Sequence, residues 1–375
     1  MGETAGHEKF VGTMPVAERY RFDIQSLEQW MRTTIEGFAG PLSVEQFRGG
    51  QSNPSFRLST PTQHYVLRSK PGPAARLLPS AHAIEREYRV LSALYATSVP
   101  VPQALALCED EQVIGRAFYV MEHVEGEVHW DQGLAGMQPA QRRALYLAMN
   151  RTLADLHRID PAQVGLGDFG KPGNYFARQI NRWTRQYLSS ETTPIASMHR
   201  LIDWLPRNIP PGEETCIVHG DFRLDNLIFA PMRAQGADAC WSRNGTAAVK
   251  VRAVLDWELS TLGHPLADFS YHCMSWHIPP GTFRGIAGLD LDALGIPHES
   301  EYVALYCAHT QRNVDALMQH WNFYLAYNMF RLAGILQGIM KRVVEGTAAS
   351  DEARESGERA RPMADMGWDI ACRVA

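Results

Sequence analysis

Four features are scarce or missing in this 375-residue sequence, and each absence removes a class of function. The six cysteines (Cys108, Cys216, Cys240, Cys273, Cys307 and Cys372) are scattered, and none forms a Cys-x-x-Cys pair. That spacing argues against a disulfide framework or a zinc site and predicts mostly buried thiols in a reducing compartment. No apolar run approaches the roughly 18 residues of a membrane span. The N-terminal stretch Met1–Lys9 lacks the apolar segment of a signal peptide, so a cytoplasmic protein without a membrane partner is expected. Basic residues are not in excess: 36 Lys and Arg stand against 41 Asp and Glu, a net charge of −5. A nucleic-acid surface is therefore not indicated, although a local basic pocket for an anionic substrate is compatible with the balance. Internal repeats and long low-complexity linkers are also lacking.

What is present is an ordinary globular composition, 45% hydrophobic and 21% charged, on a chain long enough for two lobes. Residues 1–20 read as a loosely held leader. Leu27, Trp30, Met31 and Ile35 at helical spacing predict a helix from about Ser26. Strands are predicted at Val44–Arg48, Ser55–Leu58 and His64–Arg68, the first two separated by the turn-rich Gly49-Gly50-Gln51-Ser52-Asn53-Pro54. A helix is expected from about Ala81 to Tyr95. Its apolar stripe includes Glu87 and leaves Glu85 outside, so Glu87 needs a buried partner whereas Glu85 reads as a solvated charge.

Arg116–Met121 reads as another strand leading to a hinge near 121–126. Helices then dominate, with Ala140–His157 and the long apolar Trp321–Met340, before the chain turns polar at about residue 346. The expected fold is α+β and two-lobed. A small β-rich N-lobe spans 21–122 and a larger, mainly helical C-lobe spans 123–375, with the catalytic segments in the second lobe.

The chemistry is concentrated in His219-Gly-Asp221-Phe-Arg223-Leu-Asp225-Asn226 and, thirty residues on, Val-Leu-Asp256-Trp-Glu258. The first segment has the H-x-D-x-x-x-x-N spacing of a kinase catalytic loop, in which the Asp takes the proton of a hydroxyl and the Asn holds magnesium. The second places another Asp at the end of an apolar run. Oxygen donors suit a hard Mg²⁺ ion, and phosphoryl transfer depends mostly on positioning and charge neutralisation.

Leu227–Phe229 and Val251–Leu255 read as a hairpin that would bring Asn226 and Asp256 together. A single Asp or Asn is most often a turn cap, but base and two ligands occurring in order outweigh that reading. Around them, His219 reads as an orienting residue, and Arg223 as neutralising phosphoryl charge or as a surface arginine. Glu258 reads as a second-metal ligand or a solvated group. Asp225 reads as a cap or a solvent-facing group, and Asp268 as a structural tie. Tyr175, Arg178, Trp183, Arg185 and Tyr187 are candidates to line the acceptor side.

On HGDFRLDN and LDWE, the chain resembles the aminoglycoside phosphotransferase/choline kinase superfamily, which has a protein-kinase-like fold. FRGGQSNPSF, YVLRSKPG, AHAIEREY and VLDWELSTLGHPLADFSY are more specifically similar to the kinase-like domains fused to acyl-CoA dehydrogenases and to their stand-alone bacterial relatives. The resemblance implies ATP as co-substrate with Mg²⁺. It places Gly49, Gly50, Ser52 and Asn53 over the nucleotide phosphates, and Glu122 and Val124 at adenine through their backbones. Arg68 stands where the family has a strand lysine. It would bind phosphate and pair with Glu87, with Lys70 as a fallback. The implied activity is transfer of the ATP γ-phosphoryl to a hydroxyl of a small molecule, tilted toward a hydroxyacid or hydroxyacyl-CoA. A nucleotide-binding pseudokinase and an aminoglycoside-type kinase are the alternatives. A metallophosphoesterase carries little weight, because the remaining histidines are dispersed.

Overall fold

Period-two alternation along short β-prone runs sends large apolar side chains to one side of a sheet and leaves the other side for different work. The computed structural model describes residues 12–48, 53–71, 83–231, 249–347 and 353–373. These residues form two compact units. The first comprises 12–131, 224–231 and 249–260, and the second 132–223 and 261–373. The fold is α+β, sheet-rich in the first unit and helical in the second.

In the first unit six antiparallel strands run in the order β1-β2-β3-β4-β6-β5. They are β1 Thr13–Met14, β2 Ser43–Phe47, β3 Ser55–Ser59, β4 His64–Ser69, β5 Ala104–Cys108 and β6 Phe118–Glu122. Phe56, Leu58, Leu67, Phe118 and Val120 pack with Leu27 and Met31 of the helix Ile24–Thr34. Asp23 caps that helix, accepting from the amides of Gln25 at 2.8 Å and Ser26 at 3.2 Å. Leu67 lies opposite Val120 and Arg68 opposite Tyr119. Arg68 and Tyr119 therefore share the other face, where they meet the helix Ile84–Leu94.

Two strands of this sheet were not expected. Thr13–Met14, within the stretch read as a loose leader, pairs with Gln46 and Phe47, and Val16 and Tyr20 pack on the core. Ala-Leu-Ala-Leu-Cys, which forms β5, has no alternation that separates strand from helix. The other strands of this sheet and the helices Ile24–Thr34 and Ile84–Leu94 lie within a few residues of their expected bounds.

The expected hairpin is present as β8 Leu227–Phe229 and β9 Val251–Val254, with Leu227 opposite Val254. The sequence placed it in the second lobe; in the structure its strands group with the first unit. Phe229 exchanges both backbone hydrogen bonds with Glu127 at 2.9 Å, and the Val254 amide donates to the Pro100 carbonyl at 2.9 Å. Gly126 permits this approach; a Cβ there would overlap the Phe229 carbonyl.

The second unit packs the helices Pro139–His157, Tyr175–Ser190, Pro265–Cys273, Glu299–Thr310 and Trp321–Val344 around buried Tyr146, Phe269, Tyr302, Tyr306 and Phe330. A short antiparallel pair joins β7 Cys216–Val218 to β10 Thr261–Gly263, with Val218 opposite Thr261. The segment expected to be merely polar beyond 346 contains the helices Ala353–Glu358 and Ala360–Ala371. Ala360, Met363, Ala364, Gly367 and Ile370 bury one face of the latter, so five positions suffice to dock a helix in a charged segment. Among the described residues no helix is long and apolar enough to cross a membrane.

Candidate active site

Arg68 is the centre of the first unit's polar cluster. Its Nε lies 2.8 Å from Glu87 Oε2, and its Nη2 lies 2.5 Å from Asp256 Oδ1 and 3.4 Å from Glu258 Oε2. A guanidinium can serve three carboxylates because its donors diverge in a fixed plane. Burial by itself would lower the Arg68 pKa, but Glu87 and Asp256 override it and raise the value, so the charge is firmly held.

Glu87 is 1% exposed, as its place in the helix stripe predicts. Burial pushes its carboxyl up, while Arg68 pulls it down together with the donors Asn53 Nδ2 at 2.8 Å and Tyr119 Oη at 3.2 Å. The net effect leaves the Glu87 carboxyl above its ordinary range, with Arg68, Asn53 and Tyr119 converging on it. Asn53, expected over the phosphates, instead turns its side chain inward to support Glu87. Gly49, Gly50 and Ser52 lie outside the described residues. The fallback cation Lys70 pairs with Glu85, so Glu85 is not the simple solvated charge expected. At the end of β6 the Glu122 amide donates to the Gln103 carbonyl at 2.9 Å, and Glu122 Oε2 accepts from the Gln103 amide at 3.2 Å. Val124 follows two residues later.

Asp256 has φ 66° and ψ 60°, a left-handed conformation that a non-glycine residue adopts at a cost. The Leu255 amide donates to the Asn226 carbonyl at 2.8 Å, so hairpin pairing does bring Asn226 and Asp256 to neighbouring strand ends. Asn226, Asp256 and Glu258 all carry side-chain oxygens, the donor type that suits Mg²⁺. Arg68 already places a cation against Asp256. Among the described residues no group of three or more His, Cys, Asp and Glu side chains could hold a metal ion by itself. Asp225, read as a cap or a solvent-facing group, is in fact buried.

The second unit carries its own cluster around the start of the catalytic loop. His219 and Gly220 direct their amides at Asp268, at 2.6 Å to Oδ2 and 2.9 Å to Oδ1. Gly220 has φ 84°, which lets both amides turn to one carboxylate. His157 Nε2 lies 3.3 Å from the same carboxylate, and its Nδ1 lies 2.7 Å from Tyr306 Oη. Burial depresses the His157 pKa. Asp268 is also depressed: burial opposes its charge, but His157 and the His219 amide outweigh that. A neutral histidine therefore donates to an ionised aspartate. His219 Nδ1 accepts from the Asp221 amide at 3.2 Å, which makes it a loop-orienting group.

Both Asp221 oxygens are engaged: Oδ1 accepts from Tyr271 Oη at 2.6 Å, and Oδ2 lies 3.0 Å from Arg223 Nη2. Arg331 is buried, donates from Nη2 to the Gly220 carbonyl at 2.6 Å, and sets its guanidinium 5.1 Å from the Tyr271 ring centroid. Arg223, Tyr271, Gln132, Ser275 and Arg284 line one pocket. Arg284 sits there with φ 44°, another left-handed non-glycine residue.

Tyr271 and Arg331 were not anticipated. The one arginine in the otherwise uncharged stretch Trp321–Met340 was a readable signal for Arg331, since a lone charge in an apolar helix needs a partner. Tyr271 gave none. Of the residues proposed to line the acceptor side, Tyr175, Trp183 and Tyr187 are buried in the core. Arg178 instead donates to the Lys171 carbonyl at 2.6 Å.

The model of the "Phosphotransferase enzyme family" matches residues 43–237. A Ralstonia eutropha protein, described as a candidate aminoglycoside phosphotransferase, is 59% identical in sequence. Its solved structure superposes with a TM-score of 0.81 over 94% of this chain and 98% of that one. Acyl-CoA dehydrogenase family member 10 of Mus musculus is 42% identical over 96% of this chain, which spans only 32% of that relative's length. A choline kinase from Cryptosporidium parvum has TM-score 0.60 at 12% identity, covering 93% of this chain and 95% of its own, a likeness of fold alone.

Proposed function

Because the chain belongs to the phosphotransferase enzyme family and is a small-molecule kinase in that sense, we propose that it transfers the γ-phosphoryl group of ATP to a hydroxyl of an acidic small molecule. The observation that carries this reading is the convergence on Arg68. The Arg68 guanidinium, its buried partner Glu87 and the Asp256 carboxylate meet in one cluster although far apart in sequence. Gly49, Gly50, Ser52 and Arg68 would hold the phosphates, and the Glu122 and Val124 backbones would meet adenine. Asn226, Asp256 and Glu258 would hold Mg²⁺, which when bound neutralises charge on the phosphates. Asp221 would receive the acceptor's proton and Arg223 would face the phosphoryl oxygens.

Electrostatics narrow the acceptor. Arg223 and Arg284 line the pocket that includes Tyr271, the hydrogen-bond partner of Asp221. With Arg223 paired to Asp221, Arg284 adds positive charge to the pocket lining, which favours a carboxylate or phosphate over a polycationic aminoglycoside or choline. This favours a hydroxyacid or hydroxyacyl-CoA.

The test is phosphoryl transfer by purified protein with Mg-ATP against hydroxyacids, hydroxyacyl-CoAs, choline and aminoglycosides. Transfer to an acidic acceptor, lost in Asp221→Ala, is expected; equal transfer by the variant would sink the mechanism. The Arg68–Asp256 ion pair also favours a second reading, a nucleotide-binding pseudokinase in which the arginine permanently occupies the metal ligand. Mg-ATP binding by calorimetry with no turnover of any acceptor would establish that reading instead.

A further inference from the structure

Asp221 is the group assigned to the acceptor's proton, yet a side chain 50 residues away holds one of its two oxygens. Tyr271 comes from the helix Pro265–Cys273. Its Oη lies 2.6 Å from Asp221 Oδ1, within the range of a strong charge-assisted hydrogen bond. We propose that Tyr271 is a positioning residue for phosphoryl transfer. It fixes the Asp221 carboxylate in one rotamer, so that the Oδ2 edge beside Arg223 is the edge offered to the acceptor. The proposal rests on Asp221 being the base.

Three observations support it. Burial and the neighbouring Asp221 push the Tyr271 hydroxyl above its ordinary range, so it stays a donor throughout the neutral range. The ring cannot swing away easily: it is 8% exposed and Arg331 stacks over it at 5.1 Å. Arg331 also donates to the Gly220 carbonyl, the residue before Asp221, so one buried cation holds both the base's backbone and the ring that aims its side chain. An aspartate carboxylate turns readily about its second torsion when unrestrained. A donor on Oδ1 leaves one productive orientation, and preorganisation of this kind is where such enzymes gain rate. Tyr271 also lines the pocket with Arg223 and Arg284, so the same ring borders the acceptor's space.

The experiment is a double-mutant cycle with Tyr271→Phe and Asp221→Asn. Initial rates of phosphate release from Mg-ATP to water, and of transfer to the hydroxyacid and hydroxyacyl-CoA panel, are measured for all four proteins. Tyr271→Phe keeps the ring and its packing, and removes one hydroxyl. It is expected to lower kcat roughly tenfold to a hundredfold with the KM for ATP unchanged. In the Asp221→Asn background the same substitution should change the residual rate less than about twofold, because the group it aims is gone. Wild-type kcat in Tyr271→Phe, or an equal loss in both backgrounds, overturns the positioning role. If Asp221→Asn itself leaves the rate unchanged, or wild type releases no phosphate at all, the assignment of the base or of the reaction has failed instead.

Discussion

Arg68 shows how one side-chain choice sets the character of a site. A lysine there could offer one ammonium to Glu87 or to Asp256, whereas the guanidinium reaches both with different nitrogens. Arg68→Lys is therefore expected to weaken Mg-nucleotide binding roughly tenfold by calorimetry; unchanged affinity would mean that a point charge suffices. Arg68→Met should do more, leaving Glu87 buried without its counter-charge and lowering stability by about 3 kcal/mol in denaturant titration. Asp256 supplies a second prediction. Its left-handed backbone is one that asparagine also tolerates, so Asp256→Asn should fold normally. The variant should nonetheless lose roughly a hundredfold in kcat and need more Mg²⁺ for half-maximal rate. A rate close to wild type would remove Asp256 from the metal set.

At the scale of elements, the catalytic loop depends on a carboxylate outside it. Asp268, in the first turn of the helix Pro265–Cys273, receives the His219 and Gly220 amides, so it ties strand end, loop and helix together. Removing it in Asp268→Ala leaves two buried amides and His157 without their acceptor. The expected cost is about 3 kcal/mol in equilibrium unfolding, with activity falling in the remaining folded protein. A loss below about 1 kcal/mol would show that the loop is held elsewhere. The hairpin β8–β9 has a comparable single point of control. Gly126→Ala would drive a methyl group into the Phe229 carbonyl, and should lower stability by about 2 kcal/mol through displacement of the strand that follows Asn226.

For the whole molecule, buried histidines tie stability to pH. Burial pushes His272 down to about 4, and also His264, whose Nδ1 accepts from the Leu266 amide at 3.2 Å. Both are neutral in the folded protein at pH 6, whereas in the unfolded chain they protonate near 6.5. The unfolded state thus binds more protons between about pH 6.5 and 4, and stability falls as pH drops through that window. Each histidine would contribute up to about 3 kcal/mol by its acid end. Asp268, whose pKa is depressed, adds a further loss only below the ordinary carboxylate value near 4, as pH falls through its folded pKa. Thermal midpoints measured from pH 7 to 4 should decline steadily, and His272→Gln should flatten the slope. A midpoint independent of pH over that range would contradict the assignment.

The order and type of the chemical groups were legible in the chain itself. His219, Asp221, Asn226 and Asp256 stand in a sequence that phosphoryl transfer requires, and the helical stripe that contains Glu87 demands a buried partner whatever the fold around it. These are local facts, fixed by periodicity and by the chemistry of each side chain. Who meets whom was decided by the tertiary structure. Arg68 reaches Asp256 across 188 residues because strand register turns it away from the core. The hairpin belongs to the sheet-rich unit because Phe229 pairs with Glu127. Tyr271 aims at Asp221 through the short pairing of Cys216–Val218 with Thr261–Gly263, which brings a helix start beside a loop. A sequence pattern specifies which groups are available. Register and packing select their partners, because a contact distance depends on every element between two residues and on neither residue alone.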